Sequence, residues 1–324
     1  MKLITVISDP INIKEVPAIA TKNNIESWWW GSREPGGANS IYLLAEHEQS
    51  QSLLDSLYGV LGPKGKIIIS VPEAVLPRPV ESDTAVKKKK DSTTTTREEL
   101  YENVVKGADL DGTYLLLVVL STFVAAIGLI KDNLAVIVGA MVIAPLLGPN
   151  IALALSTALG DNKLLWRALK SNFVGLGVAI LLSYLFGIIW PESVLSTEIL
   201  ARSDVGFDSV ALALASGAAA VLSMTTGLSS VLVGVMVAVA LLPPAVSMGL
   251  LFGGGHISEA LGSGLLLAVN IACINLSAKI VFFLKGIKPR TWLQLEKAKQ
   301  STAAYLFFWI ISLGVLILAI YLSG

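Results

Sequence analysis

The sequence predicts an α-helical integral membrane protein of about seven spans, with a 3+3 inverted repeat and a small N-terminal α/β domain of the ferredoxin-like type. Three observations lead to this class. The 324 residues are 54% hydrophobic and 15% charged, whereas soluble domains carry roughly 25% charged residues. No charged residue lies between Asp132 and Asp161 or between Asp208 and His256. An uncommon Gly/Met/Pro pattern also occurs twice within these uncharged stretches.

Residues 1–75 are predicted to form a soluble domain. The pattern places strands at 3–7, 25–30, 40–45 and 66–71 and helices at 12–23 and 47–61. This β-α-β-β-α-β order is that of the ferredoxin-like fold. Alternation along the second strand puts Trp28 and Trp30 on one face and Trp29 on the other. We favour packing in the core for these tryptophans over docking on a membrane interface or on a neighbouring subunit.

A linker rich in Lys, Ser and Thr is predicted at 76–97. Its four lysines at 87–90 are interpreted equally well as contacts to anionic lipid headgroups and as a solvated charge run. Thr96 and Glu99 have the spacing of a capping box. A juxtamembrane helix at 98–112 is expected to follow, with Leu100, Val104 and Ala108 on one face.

The apolar stretches divide into spans because a bilayer core takes about 20 residues per helix. We expect a first membrane repeat at 113–190, an extracytoplasmic loop at 191–208 and a second repeat at 209–285. A cytoplasmic loop at 286–302 and a seventh span at 303–322 complete the chain. The individual spans are predicted at 114–130, 134–157, 171–190, 209–228, 230–252, 260–284 and 303–322.

The charges in the loops predict the orientation. Lys and Arg accumulate in the linker, at 163–170 and at 285–299, and cationic loops lie on the cytoplasmic side. The loop at 191–208 is acidic instead. We therefore expect a multi-pass protein of the cell (inner) membrane with a cytoplasmic N-terminus and an extracytoplasmic C-terminus.

The repeated pattern spans residues 136–149 and 231–244. The two segments share eight of fourteen positions, and the shared Gly, Met and Pro residues are the informative ones, because the whole chain has only 5 Met and 13 Pro. Each predicted repeat has three spans, so an odd number of crossings inverts the second copy. Gly/Pro interruptions at matching places in inverted halves are typical of a transporter site. The two interruptions are expected midway along their spans and hence near the bilayer midplane.

Proline removes a backbone donor and collides with the preceding helical turn. A helix that restarts after each interruption would direct its positive N-terminal end to the membrane interior, where two such ends favour an anion or a polar solute. Helix packing alone is the alternative. The candidate substrate-binding residues are Gly139, Pro145, Gly148, Pro149, Asn150, Gly234, Pro243, Pro244, Asn172, Asn270 and Asn275.

Lys279 is the one full charge within a predicted span. We favour a side chain that extends to the cytoplasmic headgroups over a functional counter-charge. The spans hold no Asp or Glu, and the chain has no nucleophile-base pair, zinc-protease motif or nucleotide-binding loop. The sequence therefore predicts no catalytic residue, no metal and no cofactor, and hence no enzyme. Zero net charge disfavours nucleic acid as a partner.

The string Gly139-Ala140-Met141-Val142-Ile143-Ala144-Pro145-Leu146-Leu147-Gly148-Pro149-Asn150 resembles a widespread prokaryotic membrane family. That family is known as domain of unknown function 389, or the uncharacterised hydrophobic domain. The resemblance covers about residues 110–285, and the second motif also suits it. It implies an integral membrane protein and brings no activity or catalytic residue with it.

The leading hypothesis is a transporter or channel for a small anionic or polar solute, with its site at the paired interruptions. One alternative is a membrane sensor whose N-terminal domain binds a ligand. Another is a structural membrane scaffold. The expected partners are the lipid bilayer and a small solute, and a homo-oligomer is left open.

Overall fold

The computed structural model describes residues 1–33, 38–61, 65–72, 75, 95–191, 194–226, 230–287 and 314. The chain divides into two compact units, Met1–Glu99 and Leu100–Gly324. The first unit is an α/β domain and the second is helical. Most of the predicted linker at 76–97, and the seventh span at 303–322 apart from Gly314, lie outside the described residues.

The first unit contains a four-stranded antiparallel sheet in the order β2-β3-β1-β4. A 3-10 turn precedes α1, and Pro17 lies at the start of that helix, where its missing N–H costs nothing. The elements are β1 (Lys2–Ser8), α1 (Val16–Lys22), β2 (Trp28–Arg33), β3 (Asn39–Ala45), α2 (His47–Leu61) and β4 (Lys66–Ser70).

The core of this unit lies between one face of the sheet and the helices. Strand β1 alternates between buried and half-buried residues, as period-2 patterning requires. The predicted apolar face of α2 is confirmed, because all four of its leucines are at most 3% exposed: Leu53, Leu54, Leu57 and Leu61.

The three tryptophans of β2 divide between the core and the surface. Trp28 is half-buried and packs against the core, whereas Trp29 and Trp30 are 47% and 48% exposed. Trp29 stacks on Tyr42 of the neighbouring strand with ring centroids 5.6 Å apart. Core packing therefore accounts for only one of the three.

The capping box predicted at the start of the next helix is confirmed. The backbone N–H of Thr96 donates to the Glu99 carboxylate at 2.8 Å, and the Glu99 N–H donates to the Thr96 hydroxyl at 3.4 Å. The Glu99 carboxylate also forms an ion pair with the buried Lys2 ammonium. Burial of the Glu99 carboxyl acts to raise its pKa, but the hydrogen bonds from Lys2 and Thr96 outweigh that effect and lower it.

Apolar helices make up the described part of the second unit. Four of them are long and apolar enough to cross a membrane, and a fifth candidate is a bent pair. These helices are consistent with a multi-pass membrane protein. The helices that belong wholly or mainly to this unit are α3 (Arg97–Gly107), α4 (Gly112–Ile130), α5 (Leu134–Ile143), α6 (Leu147–Leu159), α7 (Asn162–Ile189), α8 (Thr197–Leu200), α9 (Phe207–Thr226), α10 (Ser230–Gly253) and α11 (Ile257–Leu284).

Polar residues set the ends of these helices. The side chains of Asp111, Asn133 and Asp161 accept hydrogen bonds from first-turn N–H groups of α4, α5 and α7. Gly160 ends α6 in the left-handed conformation, with φ 70°, which glycine adopts without strain. Short polar connections therefore separate long apolar helices.

Side-chain contacts give the relative directions of the helices. Helices α4 and α7 run parallel, because Tyr114 meets Ser171 and, further along both helices, Phe123 meets Phe186. A Cβ placed on Gly249 or Gly253 would overlap successive turns of α7, so α7 and α10 also run parallel. Such small residues let helices approach closely.

Helices α10 and α11 run antiparallel. Asn270 of α11 bonds to Ala240 of α10, and Gly264 of α11 faces Met248 of α10. The residue number therefore rises along one helix as it falls along the other.

Candidate functional site

The first motif contains a helix break. Helix α5 ends at Ile143 and α6 starts at Leu147, with an angle of 54° between them. Ala144 is extended, with ψ 122°, as expected for a residue that precedes proline. Pro145 therefore breaks the helix where the sequence predicted an interruption.

A neighbouring helix end covers the start of α6. A Cβ added at Gly148 would overlap the carbonyl oxygen of Gly107, which is the last residue of α3. The C-terminal carbonyls of one helix thus face the N-terminal turn of another, and opposite helix-dipole ends attract. The Gly107 carbonyl therefore lies against the positive end of α6.

Further polar contacts hold this arrangement. The Tyr101 hydroxyl donates to Asp161 at 2.6 Å, just beyond the last turn of α6. This hydrogen bond, aided by burial, raises the pKa of Tyr101 from 10.0 to about 12. Ser171 of α7 donates to the Ala108 carbonyl at 2.7 Å. Helix α3 is therefore tied to the region of both ends of α6.

Three of the predicted asparagines meet at the break. Asn150, in the first turns of α6, donates to Asn172 of α7 at 2.9 Å. Asn275 of α11 donates to the Asn150 oxygen at 3.5 Å. The three side chains are at most 8% exposed. The structure thus brings together residues that are up to 125 positions apart in the chain.

Backbone carbonyls determine how these amides are oriented. Asn150 donates to the Leu146 carbonyl and Asn275 to the Ile271 carbonyl, both at 2.9 Å. Because only the amide nitrogen can donate, each oxygen must point the other way. The cluster then presents two buried groups without a partner among the described residues, the Asn172 nitrogen and the Asn275 oxygen.

The second motif corrects the prediction of paired breaks. Pro243 and Pro244 lie inside α10, which is helical from Ser230 to Gly253. No helix restarts there, so two positive helix ends do not converge. The physical reason is a tertiary hydrogen bond that compensates for one of the prolines.

That compensating bond comes from Asn270. Pro244 has no N–H to offer the carbonyl four residues earlier, which is that of Ala240. The Asn270 amide donates to this carbonyl at 2.7 Å. The predicted site residue Asn270 therefore has a structural role, and its own oxygen has no partner within the described part of the chain.

The remaining predicted site residues are Gly139, Pro149 and Gly234, and each of them lies within a helix. Gly139 lies in α5, and a Cβ added to it would meet nothing within 4 Å, so it contributes no close packing. Pro149 lies in the first turn of α6 and is buried. Gly234 lies within α10.

The structure also corrects the expectation that the Lys279 side chain extends to the cytoplasmic headgroups. Its side chain is 2% exposed, so it is enclosed by protein and does not extend outward to headgroups. Asn275 and Lys279 are one turn apart on α11 and share a face.

The asparagine cluster lies slightly off the centre of α7. Asn172 is the eleventh residue of the 28-residue helix α7 and lies two residues beyond the exposed Lys170. Asn172 is thus about one helical turn from the centre of α7, on the side of its basic residues.

Sequence reasoning missed two buried hydroxyls. Ser247 of α10 and Ser263 of α11 are fully buried, and neither oxygen has a partner among the described residues. Serine is common in apolar helices, so no sequence signal distinguishes these two from the others. Within the described residues, no group of three or more His, Cys, Asp or Glu side chains is placed to hold a metal ion.

Comparisons with known proteins place the chain in a family. The profile of a domain of unknown function, DUF389, matches residues 141–276, which contain most of the first motif and all of the second. An uncharacterized protein of Methanocaldococcus jannaschii is 34% identical over 307 residues, which cover 92% of this chain and 94% of that relative. No solved structure matches the chain. The similarity to this relative extends over nearly the full length of both proteins, and the chain therefore belongs to the DUF389 family.

Proposed function

We propose that this protein is a transporter or channel for a small polar solute. The observation that carries the proposal is the buried asparagine cluster at the α5–α6 break. Unpaired polar groups in a membrane interior are costly, and irregular backbone is tolerated there only inside protein or beside a hydrated cavity. Among the described residues, the cluster keeps one donor and one acceptor without a partner, which suits a solute that has both.

The equal spacing of helices in the two halves of the second unit supports this proposal. Gly112 and Phe207, which begin α4 and α9, are 95 residues apart, and the same separation joins the starts and the ends of α7 and α11. The two motifs have this spacing as well. We propose that the helices form two inverted three-span repeats. The domain that precedes them in the chain has the strand order β2-β3-β1-β4, which implies a ferredoxin-like fold.

The bent pair α5–α6 fits this scheme as one crossing. Helices α4 and α7 run parallel, so the segment between them must return the chain to the side from which α4 began. On this basis the N-terminus is cytoplasmic, since the end of α7 with Lys163, Arg167 and Lys170 is the basic one. The C-terminus would then be extracytoplasmic after a seventh span.

The chemistry of the cluster favours an uncharged solute over an anion. Among the described residues, a helix restarts at the prolines of the first motif and not at those of the second, and the Gly107 carbonyl lies against that start. The Asn172 nitrogen offers hydrogen-bond donors, whereas the Asn275 oxygen accepts. No carboxylate belongs to the cluster, so coupling to a proton through a buried acid is not part of the proposal.

The test is solute uptake by liposomes that contain the full-length protein. Light scattering would follow urea, formamide and glycerol, and electrical recording would follow chloride and acetate. In Asn172→Asp the oxygen that accepts from Asn150 is kept, while the free nitrogen becomes an oxygen. We expect uptake to fall at least about tenfold, because the donor that faces the solute is lost.

Asn162→Asp is the matched control, because it makes the same chemical change at an exposed position of the same helix. Uptake equal to the wild type is expected for this variant. Uptake by the wild type no faster than by protein-free liposomes, across the panel, would contradict transport and favour the scaffold. Saturable ligand binding by the full-length protein without any flux would favour the sensor.

A further inference from the structure

The buried hydroxyls of Ser247 and Ser263 differ from the other buried hydroxyls of the apolar helices. In a helix, Ser and Thr usually bond to a carbonyl three or four residues earlier. The structure has this bond at Ser121, Thr122, Ser156, Thr157, Ser183, Thr225 and Ser277. Ser247 and Ser263 adopt orientations that forgo it, and both are 0% exposed.

The register of α10 and α11 places these two serines level with each other. Ser247 follows Ala240 by seven residues, and Ser263 precedes Asn270 by seven. Seven residues are two helical turns, so each serine lies about 10 Å along its helix on nearly the same face as its reference residue. Because Ala240 and Asn270 are bonded and the helices are antiparallel, both serines lie in the α10–α11 interface on the same side of that bond.

Asn270 extends this set of groups toward the asparagine cluster. Its free oxygen and that of Asn275 lie on α11 between Ser263 and the basic end of the helix. Three buried polar groups without described partners, those of Ser247, Ser263 and Asn270, thus follow one another along the α10–α11 side of the unit.

We propose that Ser247 and Ser263 form a second polar site, which takes a small uncharged solute with hydroxyl or amide groups, including water. The proposal rests on the proposed transport function and identifies its solute class and the outer part of its path. A hydroxyl can both donate and accept, so it suits a neutral solute of this kind.

The charges at the two ends of the path support a neutral solute. Glu259 lies one turn before Ser263, toward the end of α11 opposite to Lys279. A cation would meet the Lys279 ammonium and an anion would meet the Glu259 carboxylate. Between them, α11 has no charged residue.

Water access to the two positions is the first test, and it does not depend on transport. Cys273 is the single cysteine of the chain, so Cys273→Ala provides a cysteine-free background. Ser247→Cys and Ser263→Cys would be made in it and treated in liposomes with hydroxyethyl methanethiosulfonate. Thiols react as thiolates, which need water, so we expect labelling at least about tenfold faster than at a dry position.

Ser121→Cys is the dry control, because Ser121 is fully buried and its hydroxyl is bonded to the Val118 carbonyl. Labelling after denaturation verifies that each thiol is intact. Reaction at 247 and 263 no faster than at 121 would overturn the proposal. Equal labelling by charged methanethiosulfonates, which carry a trimethylammonium or a sulfonate group, would also overturn it, because the site would then not select neutral molecules.

Solute uptake then distinguishes the proposed second polar site from the proposed transport function. Ser247→Ala with Ser263→Ala is expected to slow urea or glycerol uptake about fivefold, since two hydrogen-bonding groups are lost. Fast labelling in a protein that moves no solute would refute transport while supporting a hydrated polar site. Normal uptake by the double variant, with uptake still lost in Asn172→Asp, would refute the second site alone.

Discussion

The two copies of the Gly/Met/Pro motif have different structures. In the first copy the helix breaks at Pro145, and α5 and α6 meet at 54°. In the second copy, α10 continues through Pro243 and Pro244. A pair of adjacent prolines would be expected to break a helix more strongly than a single proline, because each one removes a donor and disfavours helical geometry in the residue before it.

Neighbouring groups explain the difference. The carbonyl that Pro244 leaves free receives a hydrogen bond from Asn270, so the helix keeps its geometry at little cost. At the first motif, the backbone leaves the helix and α6 restarts against the Gly107 carbonyl. Proline therefore leaves a backbone carbonyl without its usual donor. The tertiary structure decides whether the helix breaks there or a side chain from another helix donates to that carbonyl.

The largest expected effect on stability concerns the first copy of the motif, in which the helix is broken. Gly148→Ala would force a methyl group into the Gly107 carbonyl, and neither backbone can give way without separating α3 from α6. We expect a loss of about 3 kcal/mol in the free energy of unfolding, the upper range for overpacking. Unfolding in detergent, followed by circular dichroism, measures it.

Gly139→Ala is the matched control, because an added methyl group there meets nothing within 4 Å. In a helix this change should stabilise the protein by about 0.5 kcal/mol or more. If both variants were equally stable, the close contact at Gly148 would be wrong.

A smaller effect is expected in the unbroken copy. Asn270→Leu would leave the Ala240 carbonyl buried without a donor, at a cost of about 2 kcal/mol. Pro244→Ala restores the backbone N–H that bonds this same carbonyl. The double variant Asn270→Leu with Pro244→Ala should therefore recover most of the lost stability.

Pro243→Ala distinguishes this account from a general gain on removing proline. The new alanine N–H at position 243 would bond to the carbonyl of Val239 and not to that of Ala240. Pro243→Ala should therefore not restore the stability lost in Asn270→Leu. Equal rescue by both alanine substitutions would show that Asn270 does not compensate for Pro244 in particular. A double-mutant cycle of unfolding free energies supplies the numbers.

The smallest effect tests how α3 is held beside the broken copy. Tyr101→Phe removes the hydrogen bond to Asp161 and should cost about 1 kcal/mol at neutral pH. The pKa of Tyr101 is raised from 10.0 to about 12 in the folded protein, so its contribution is complete below pH 10. It is lost as the pH rises through 12.

The stability difference between wild type and Tyr101→Phe should therefore shrink as the pH rises above 10. Chemical unfolding at about pH 8 and about pH 11 would measure it. A difference that stays constant over this range would mean that the tyrosine hydroxyl is not bonded to Asp161 in the folded state.

The sequence predicted much of the local structure. The capping box of Thr96 and Glu99, the apolar face of α2 and the break at Pro145 could be anticipated because each depends on neighbours within a few positions. It also selected the asparagines that meet at the break. It did not indicate which of them contact one another, because Asn150 and Asn275 are separated by 125 residues.

By itself the sequence predicted the family and a set of apolar helices that are consistent with a multi-pass membrane protein. These follow from transfer free energies and local backbone preferences, which each segment carries with it. Only the tertiary structure decided that α10 stays helical, that Lys279 is enclosed and that Ser247 and Ser263 lack their usual bonds. Each of these outcomes depends on a hydrogen-bond partner or a packing surface from another helix, and no local pattern specifies that partner.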